Sequence, residues 1–388
     1  MKEIRAIIDL FRAAEARGAT SALVTLVKVK GSSYRRAGAR MLVTDDGQRA
    51  GAVSGGCLED DIQRKALLAI SVNRSSLIVY DSTDEDELNA DDIRYGVGLG
   101  CNGVVYVLIE PITQTAGRLH LDALAKFVHH PKSQVLAIVF GAEGNLTSDV
   151  GNILTFNDLA SHSYILSSDL GRVVETDAEA CFHARRSATK LYEFSDGRAE
   201  VFFEYLAPPV SLAIFGAGYD AIPLAAFAKE LGWTVTVVDG RPSYVSKSRF
   251  PSADALVVAK HDALAQVSEQ IQFADVAVVM SHNYIYDLAV LHLLAHLPMK
   301  YVGVLGPKKR TDKLFAELRS HGVEISDDFL NRVYAPMGLD IGAELPDEIA
   351  LSVLSEIRAV ISGRSGGHLR LRRAPIHDYV QEIQPSLK

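Results

Sequence analysis

At 388 residues the chain exceeds what one typical hydrophobic core supports, so two domains are expected. A 48% hydrophobic and 23% charged composition is that of a folded globular protein. A formal net charge of −8 argues against broad nucleic-acid binding, and no apolar run approaches bilayer-spanning length, which argues against a membrane protein.

The first segment, Ile4 to Arg17, sets Ile4, Ile7, Ile8 and Phe11 at helical spacing and stops at Gly18. A strand is expected over Ala22–Lys30. The loop from Gly31 to Arg40 follows, carrying Arg35, Arg36 and Arg40 among small residues, a composition suited to holding an anion; the plainer reading is a solvated basic turn. Strand Met41–Thr44 leads to Gly55-Gly56-Cys57-Leu58-Glu59, where glycines frame a cysteine directly before a helix over about 59–72. After a strand at Ser76–Asp81 and an acidic run at 84–87, a second cysteine stands in Gly98-Leu99-Gly100-Cys101-Asn102-Gly103, ahead of strand Val104–Pro111. Either loop alone reads equally well as a tight turn around a small apolar residue. Two such loops in one domain point to a soft-metal or sulfur site formed by Cys57 and Cys101, with Gly55, Gly56 and Gly100 permitting close approach of a ligand. Cys181 lacks a glycine frame and reads as structural. Residues 116–130 read as helix, and 131–206 as short strands that complete the first domain's sheet. His129, His130, His162 and His183 in that region lack metal-ligand spacing. Three cysteines without disulfide spacing, and a start without signal-peptide character, fit a cytoplasmic setting.

Pro208-Pro209 marks the boundary, giving domains 1–207 and 208–388. Strand Val210–Phe215 then enters Gly216-Ala217-Gly218, a helix runs to Lys229, and strand Thr234–Val238 ends in Asp239. This strand–glycine turn–helix–strand–acid order is a dinucleotide fingerprint in its proper context. Gly216 serves the turn, Gly218 the approach of pyrophosphate and Ala221 close helix packing, while Asp239 accepts from a ribose diol. Tyr219 flanks the same turn. Later strands at Val276–Met280 and Tyr301–Leu305 end beside His282 and Asp287 and beside Gly306, Lys308 and Arg310, where a ligand of an open α/β sheet is contacted. The expected fold is α/β: an N-terminal mixed domain and a C-terminal Rossmann-like doubly wound parallel sheet. A Rossmann-like fold with an empty crevice is the plainer alternative.

Taken in order, Gly31-Ser32-Ser33, Gly38-Ala39-Arg40-Met41, Gly55-Gly56-Cys57-Leu58-Glu59, Gly100-Cys101-Asn102-Gly103, Gly216-Ala217-Gly218, Met280-Ser281-His282, Gly303-Val304-Leu305-Gly306 and the segment 338–350 resemble the XdhC/CoxI family. These are accessory proteins that mature xanthine dehydrogenase and carbon monoxide dehydrogenase. The chain departs from the family at Tyr219, where histidine is frequent, at Tyr34, where proline is common, and at Asn102, which interrupts a Gly-Cys-Gly-Gly pattern.

The resemblance implies a chaperone that binds molybdenum cofactor (molybdopterin), keeps it intact during sulfuration and delivers it to an apo-molybdenum hydroxylase, with a cysteine desulfurase as a further partner and a homodimer as its assembly. On that reading Cys57 and Cys101 contact molybdenum or shelter its sulfur, Arg35, Arg36 and Arg40 hold the pterin phosphate, and the Gly216–Asp239 unit holds NAD(P), another nucleotide or the cofactor's own nucleotide half. Two other classes compete: an NAD-dependent oxidoreductase, for which His282 with Asp287 is the nearest acid–base pair, and a nucleotide- or redox-sensing regulator that switches through its cysteines.

Overall fold

The computed structural model describes residues 1–82, 103–158, 161–164, 168–267, 271, 274–373, 376 and 381–383. The chain divides into two compact units, residues 1–208 with 377–388, and residues 209–376. The division falls between residues 208 and 209, and the described C-terminal strand at 381–383 lies with the first unit.

The first unit opens with helix α1 (Lys2–Ala16) and strands β1 (Ser21–Gly31), β2 (Arg40–Thr44) and β3 (Arg49–Gly51). Helix α2 (Glu59–Val72), β4 (Ser76–Asp81) and β5 (Gly103–Pro111) follow, making a five-stranded sheet of order β3-β2-β1-β5-β4. Every pair in it is antiparallel. Helix α3 (Thr115–His129) crosses to a second sheet built from β6 (Gln134–Gly144), β7 (Ile153–Phe156), β8 (Ser161–Tyr164), β9 (Ala188–Phe194) and β10 (Gly197–Leu206). Residues 131–206 therefore form a sheet of their own and do not extend the first. They also contain a helix the sequence reading missed, α4 (Ser168–Ala184). Its buried residues Leu170, Val174, Ala178 and Cys181 recur at helical intervals and cover one face of the second sheet. The last strand, β17 (Gln381–Ile383), pairs in parallel with β9 and closes that sheet's edge.

Alternation along the strands sorts the apolar side chains onto both faces of each sheet. Ile7 and Phe11 of α1, Leu23 and Leu108 of the first sheet, Leu124 of α3, and Ile138 and Phe202 of the second sheet share one core. Ala22, Val24 and Val107 face the other way, onto Ile62, Ala66 and Ala69 of α2.

In the second unit β11 (Ser211–Phe215), α5 (Ala221–Glu230), β12 (Thr234–Asp239), β13 (Ala255–Val258), β14 (Val276–Val279), α6 (Tyr284–Ala295), β15 (Tyr301–Val304), α7 (Lys308–Ser320), α8 (Asp327–Asn331), β16 (Val333–Tyr334) and α9 (Pro346–Ile361) alternate. All strand pairs are parallel, in the order β13-β12-β11-β14-β15-β16. This is the Rossmann order. Its topological switch lies between β11 and β14, at whose carboxyl ends ligands of such sheets bind. Both faces are buried, with Ile214 and Val278 toward α5 and α9, and Phe215 and Val279 toward α6 and α7. Val- and Ile-rich strands without polar alternation require this double cover.

Candidate functional site

Antiparallel pairing brings several loops to one end of the first sheet. β1 ends at Gly31 opposite Gly103, the start of β5; β4 ends at Asp81 opposite Val104; β3 ends at Gly51 opposite Met41 near the start of β2. The segments 32–39 and 52–58 therefore leave the sheet at the end where β5 begins. Two contacts tie them together. The Tyr34 ring lies against Gly55, where an added Cβ would come within 3.2 Å of it. Glu3 joins Arg35 (2.5 Å) and accepts the Ala52 amide (3.1 Å). Gly103 is wedged against the backbone of 30–32: a Cβ there would fall 2.2 Å from the Ser32 carbonyl oxygen.

The cysteine loop is organised by Ser54. Its hydroxyl accepts the amides of Gly56 (3.2 Å) and Leu58 (3.1 Å), donates to Glu59, and lies 3.6 Å from the Cys57 sulfur. Glu59, itself buried, also accepts the Ser54 amide at 2.7 Å. Burial alone would raise its carboxyl, but the Ser54 hydroxyl and surrounding amides overcome this and hold it below the usual glutamate range. Gly56 has φ +109°, a conformation glycine adopts without strain. The result is an exposed Cys57 thiol on an ordered turn. Cys181, by contrast, is buried, and burial pushes its thiol up to about 11. Cys101 and Gly100 lie outside the described residues, as does the acidic run at 84–87. Among the described residues no group of three or more His, Cys, Asp or Glu is placed to hold a metal ion.

The three arginines separate. Arg36 is exposed on the loop, and Arg35 is paired with Glu3. Arg40 cannot hold an external phosphate: it is 1% exposed and grips Glu204 of β10 through both terminal nitrogens. Its Nη1 also donates to the Gly38 carbonyl at 2.8 Å. Its Nη2 stands 3.4 Å from His120 Nε2, which must accept because arginine only donates. That leaves Nδ1 of His120 to donate to Glu110 at 2.8 Å. An anion-site motif in the sequence is thus, at Arg40, a buried clasp between the two sheets. Its partners Glu110, His120 and Glu204 stand 70 to 164 residues away, too far for local spacing to reveal them.

In the second unit the glycine turn matches the fingerprint. Gly216 has φ +120°, and a Cβ there would fall 2.5 Å from the Met280 carbonyl oxygen, so only glycine lets β11 turn against β14. Ala221 is buried at the start of α5, and Tyr219 is 77% exposed beside the turn. Gly306 has φ +113° at the end of β15, and Lys308 opens α7 exposed to solvent.

Two pairings differ from expectation. His282 meets Asp220 (2.7 Å), not Asp287; it is an exposed residue held at φ +58°. Asp287 is buried, accepting from Ser281 and from Arg310 at 2.6 Å. Asp239 is also taken. It is 3% exposed; Oδ1 accepts from the Arg241 amide and Nε (both 2.9 Å), and Oδ2 from Arg241 Nη2 and the Ala217 amide (both 2.7 Å). Burial opposes its ionisation, but these bonds from Arg241 and the amides hold the carboxyl below the usual range. The ribose acceptor expected here has no remaining face for a diol. The signal was present in sequence as Arg241, two residues on.

With this geometry in hand, comparison with known proteins places the chain. Residues 212–357 match the model of the XdhC Rossmann domain, and residues 14–81 match that of the XdhC and CoxI family. A Bacillus subtilis protein described as a probable component of xanthine dehydrogenase is 34% identical over 339 residues, covering 86% of this chain and 91% of that one. This chain belongs to the XdhC/CoxI family. The family match at 14–81 contains the Cys57 turn, and that at 212–357 contains the glycine turn and the Asp220–His282 pair. The molybdenum cofactor insertion chaperone PaoD of Escherichia coli is 25% identical, over 88% of this chain and 84% of its own. A Bacillus halodurans crystal structure titled as a xanthine dehydrogenase superposes with a TM-score of 0.70 at 29% identity, covering 93% of this chain and 97% of that one.

Proposed function

We propose that this XdhC/CoxI protein is a molybdenum cofactor chaperone that takes the cofactor as cargo and passes it to an apo-enzyme of the xanthine dehydrogenase type. The observation that carries the reading is the exposed Cys57 thiol, held by the Ser54-centred turn at the end of the first sheet from which loop 32–39 also leaves. Thiolate suits a soft, sulfur-ligated metal. Arg36 on the adjacent loop supplies a cation for the pterin phosphate. Gly103, at the start of β5, is fixed against the backbone of residues 30–32 at the same end of the sheet. The description of PaoD as a cofactor insertion chaperone and the xanthine dehydrogenase label of two other relatives support both the cargo and the class of recipient. Cysteine desulfurase as sulfur donor, and pairing into a homodimer, belong to the same proposal.

The test is anaerobic loading of the purified chain with molybdenum cofactor, with metal and pterin quantified after desalting, beside Cys57→Ser and Cys101→Ser. Near-stoichiometric retention that the variants lose supports the reading. Equal retention by both variants removes the thiols from the site; no retention by the unaltered chain removes the chaperone role.

A further inference from the structure

The second unit carries a feature that the chaperone reading does not use. β12 ends in Asp239, and Arg241 closes over its carboxylate with Nε and Nη2, leaving Nη1 outside the pair and the side chain 46% exposed. Pro242 then stands in a turn closed by the Tyr244 amide on the Arg241 carbonyl (3.0 Å), which returns the Tyr244 ring beneath the Arg241 guanidinium, 3.9 Å from its centre. A second turn, in which Arg249 and Phe250 donate to the Ser246 carbonyl, brings the Arg249 guanidinium to 4.7 Å from the same ring, anchored by buried Phe250. Two guanidinium groups thus lie against one aromatic ring. Exposed Lys260 begins the adjoining loop, with its Cα 3.4 Å from where a Cβ of Gly240 would stand.

In Rossmann sheets the end of this strand receives the adenosine ribose: a free carboxylate selects a 2′,3′-diol, and an arginine selects a 2′-phosphate. Here Arg241 and two backbone amides consume the carboxylate, and Arg249 shares the Tyr244 ring with Arg241. We infer that the second unit binds a dinucleotide bearing a ribose phosphate, of the NADP class, with Arg241 and Arg249, held together on the Tyr244 ring, receiving that phosphate. This rests on reading the glycine turn as a nucleotide site. It assigns that site to a free dinucleotide, separate from the cargo proposed for the first unit.

Calorimetric titration of the full chain with NADP+ and NAD+ tests it. NADP+ should bind more tightly by roughly ten- to a hundredfold, the range of a charge-assisted hydrogen bond gained. Arg249→Ala should weaken NADP+ and leave NAD+ unchanged. Arg241→Ala should weaken NADP+ and strengthen NAD+, because it releases Asp239 to the diol. Displacement of NADP+ by 2′-AMP, but not by 5′-AMP or inorganic phosphate at equal concentration, ties the effect to the ribose phosphate. Equal affinity for the two dinucleotides, no binding of either, or equal displacement by inorganic phosphate overturns the inference. Molybdenum cofactor retention by the unaltered chain keeps the two readings apart: retention with no NADP+ preference sinks only this inference, and NADP+ preference without retention sinks only the chaperone.

Discussion

Replacing Glu204 with leucine tests whether Arg40 is structural. The variant leaves a 1%-exposed guanidinium with the Gly38 carbonyl and His120 as its partners among the described residues, after losing two bonds to the Glu204 carboxylate. Breaking one partner of such a buried pair costs about 3–5 kcal/mol, whereas replacing both by apolar side chains is often neutral. For a unit of about 220 residues each kcal/mol is worth roughly 2–4 °C, so Glu204→Leu should lower the first unit's melting midpoint by roughly 6–20 °C. The double variant Arg40→Met/Glu204→Leu should recover most of that loss. Thermal unfolding followed by far-UV circular dichroism reads the whole chain, while fluorescence of Trp233, the single tryptophan, follows the second unit separately. A single variant that melts within about 2 °C of the unaltered chain would refute the clasp, since that is the scale of an ordinary surface change.

In the folded chain at pH 8, iodoacetamide should label Cys57 and spare Cys181, as read by peptide mass spectrometry; labelling of both would contradict the burial of Cys181. Gly216→Ala should destabilise the second unit by about 2 kcal/mol or more, because its Cβ meets fixed backbone at 2.5 Å and its φ is strained for other residues. Gly218→Ala meets side chains and no backbone, the Asp220 carboxylate at 2.6 Å and the His282 ring at 3.7 Å, so its melting midpoint should stay near that of the unaltered chain, with nucleotide affinity reduced. Asp239 ionises more readily folded than unfolded, so its stabilisation is complete above the usual aspartate value near about 4 and fades as the pH falls through its lower folded value. The gap in melting midpoint between the unaltered chain and Asp239→Asn should accordingly narrow from pH 7 to pH 3; a constant gap would show that its charge is not what stabilises.

The parallel sheet of the second unit was the most readable part of the chain. Glycines at 216 and 218 between an apolar strand and a helix encode local geometry, and local geometry is what sequence spacing reports. The Cys57 turn was readable for the same reason. What escaped was non-local. Arg40 looks the same in sequence whether it faces an anion or Glu204, since the choice is made by a strand 164 residues away. His282 was matched with Asp287 because they are neighbours in the chain; the fold instead sets His282 beside Asp220, across the switch between β11 and β14. Helix α4 was hidden by expectation rather than by chemistry, for Leu170, Val174, Ala178 and Cys181 do carry the helical period. Asp239 shows a subtler limit: its position was read correctly and its availability was not, because Arg241 had to be seen folded onto it.

The pairing of β17 with β9 has a consequence for synthesis. Residues 209–376 are translated between the bulk of the first unit and the strand that completes its second sheet. At ordinary ribosomal rates that interval lasts roughly ten to thirty seconds. Throughout it the nascent first unit exposes the unpaired backbone edge of Ala188–Phe194, an adhesive template for any other extended segment. Premature termination within the second unit would leave that edge open permanently, so nonsense changes there should yield aggregating products even though the whole five-stranded sheet carrying Cys57 has been made.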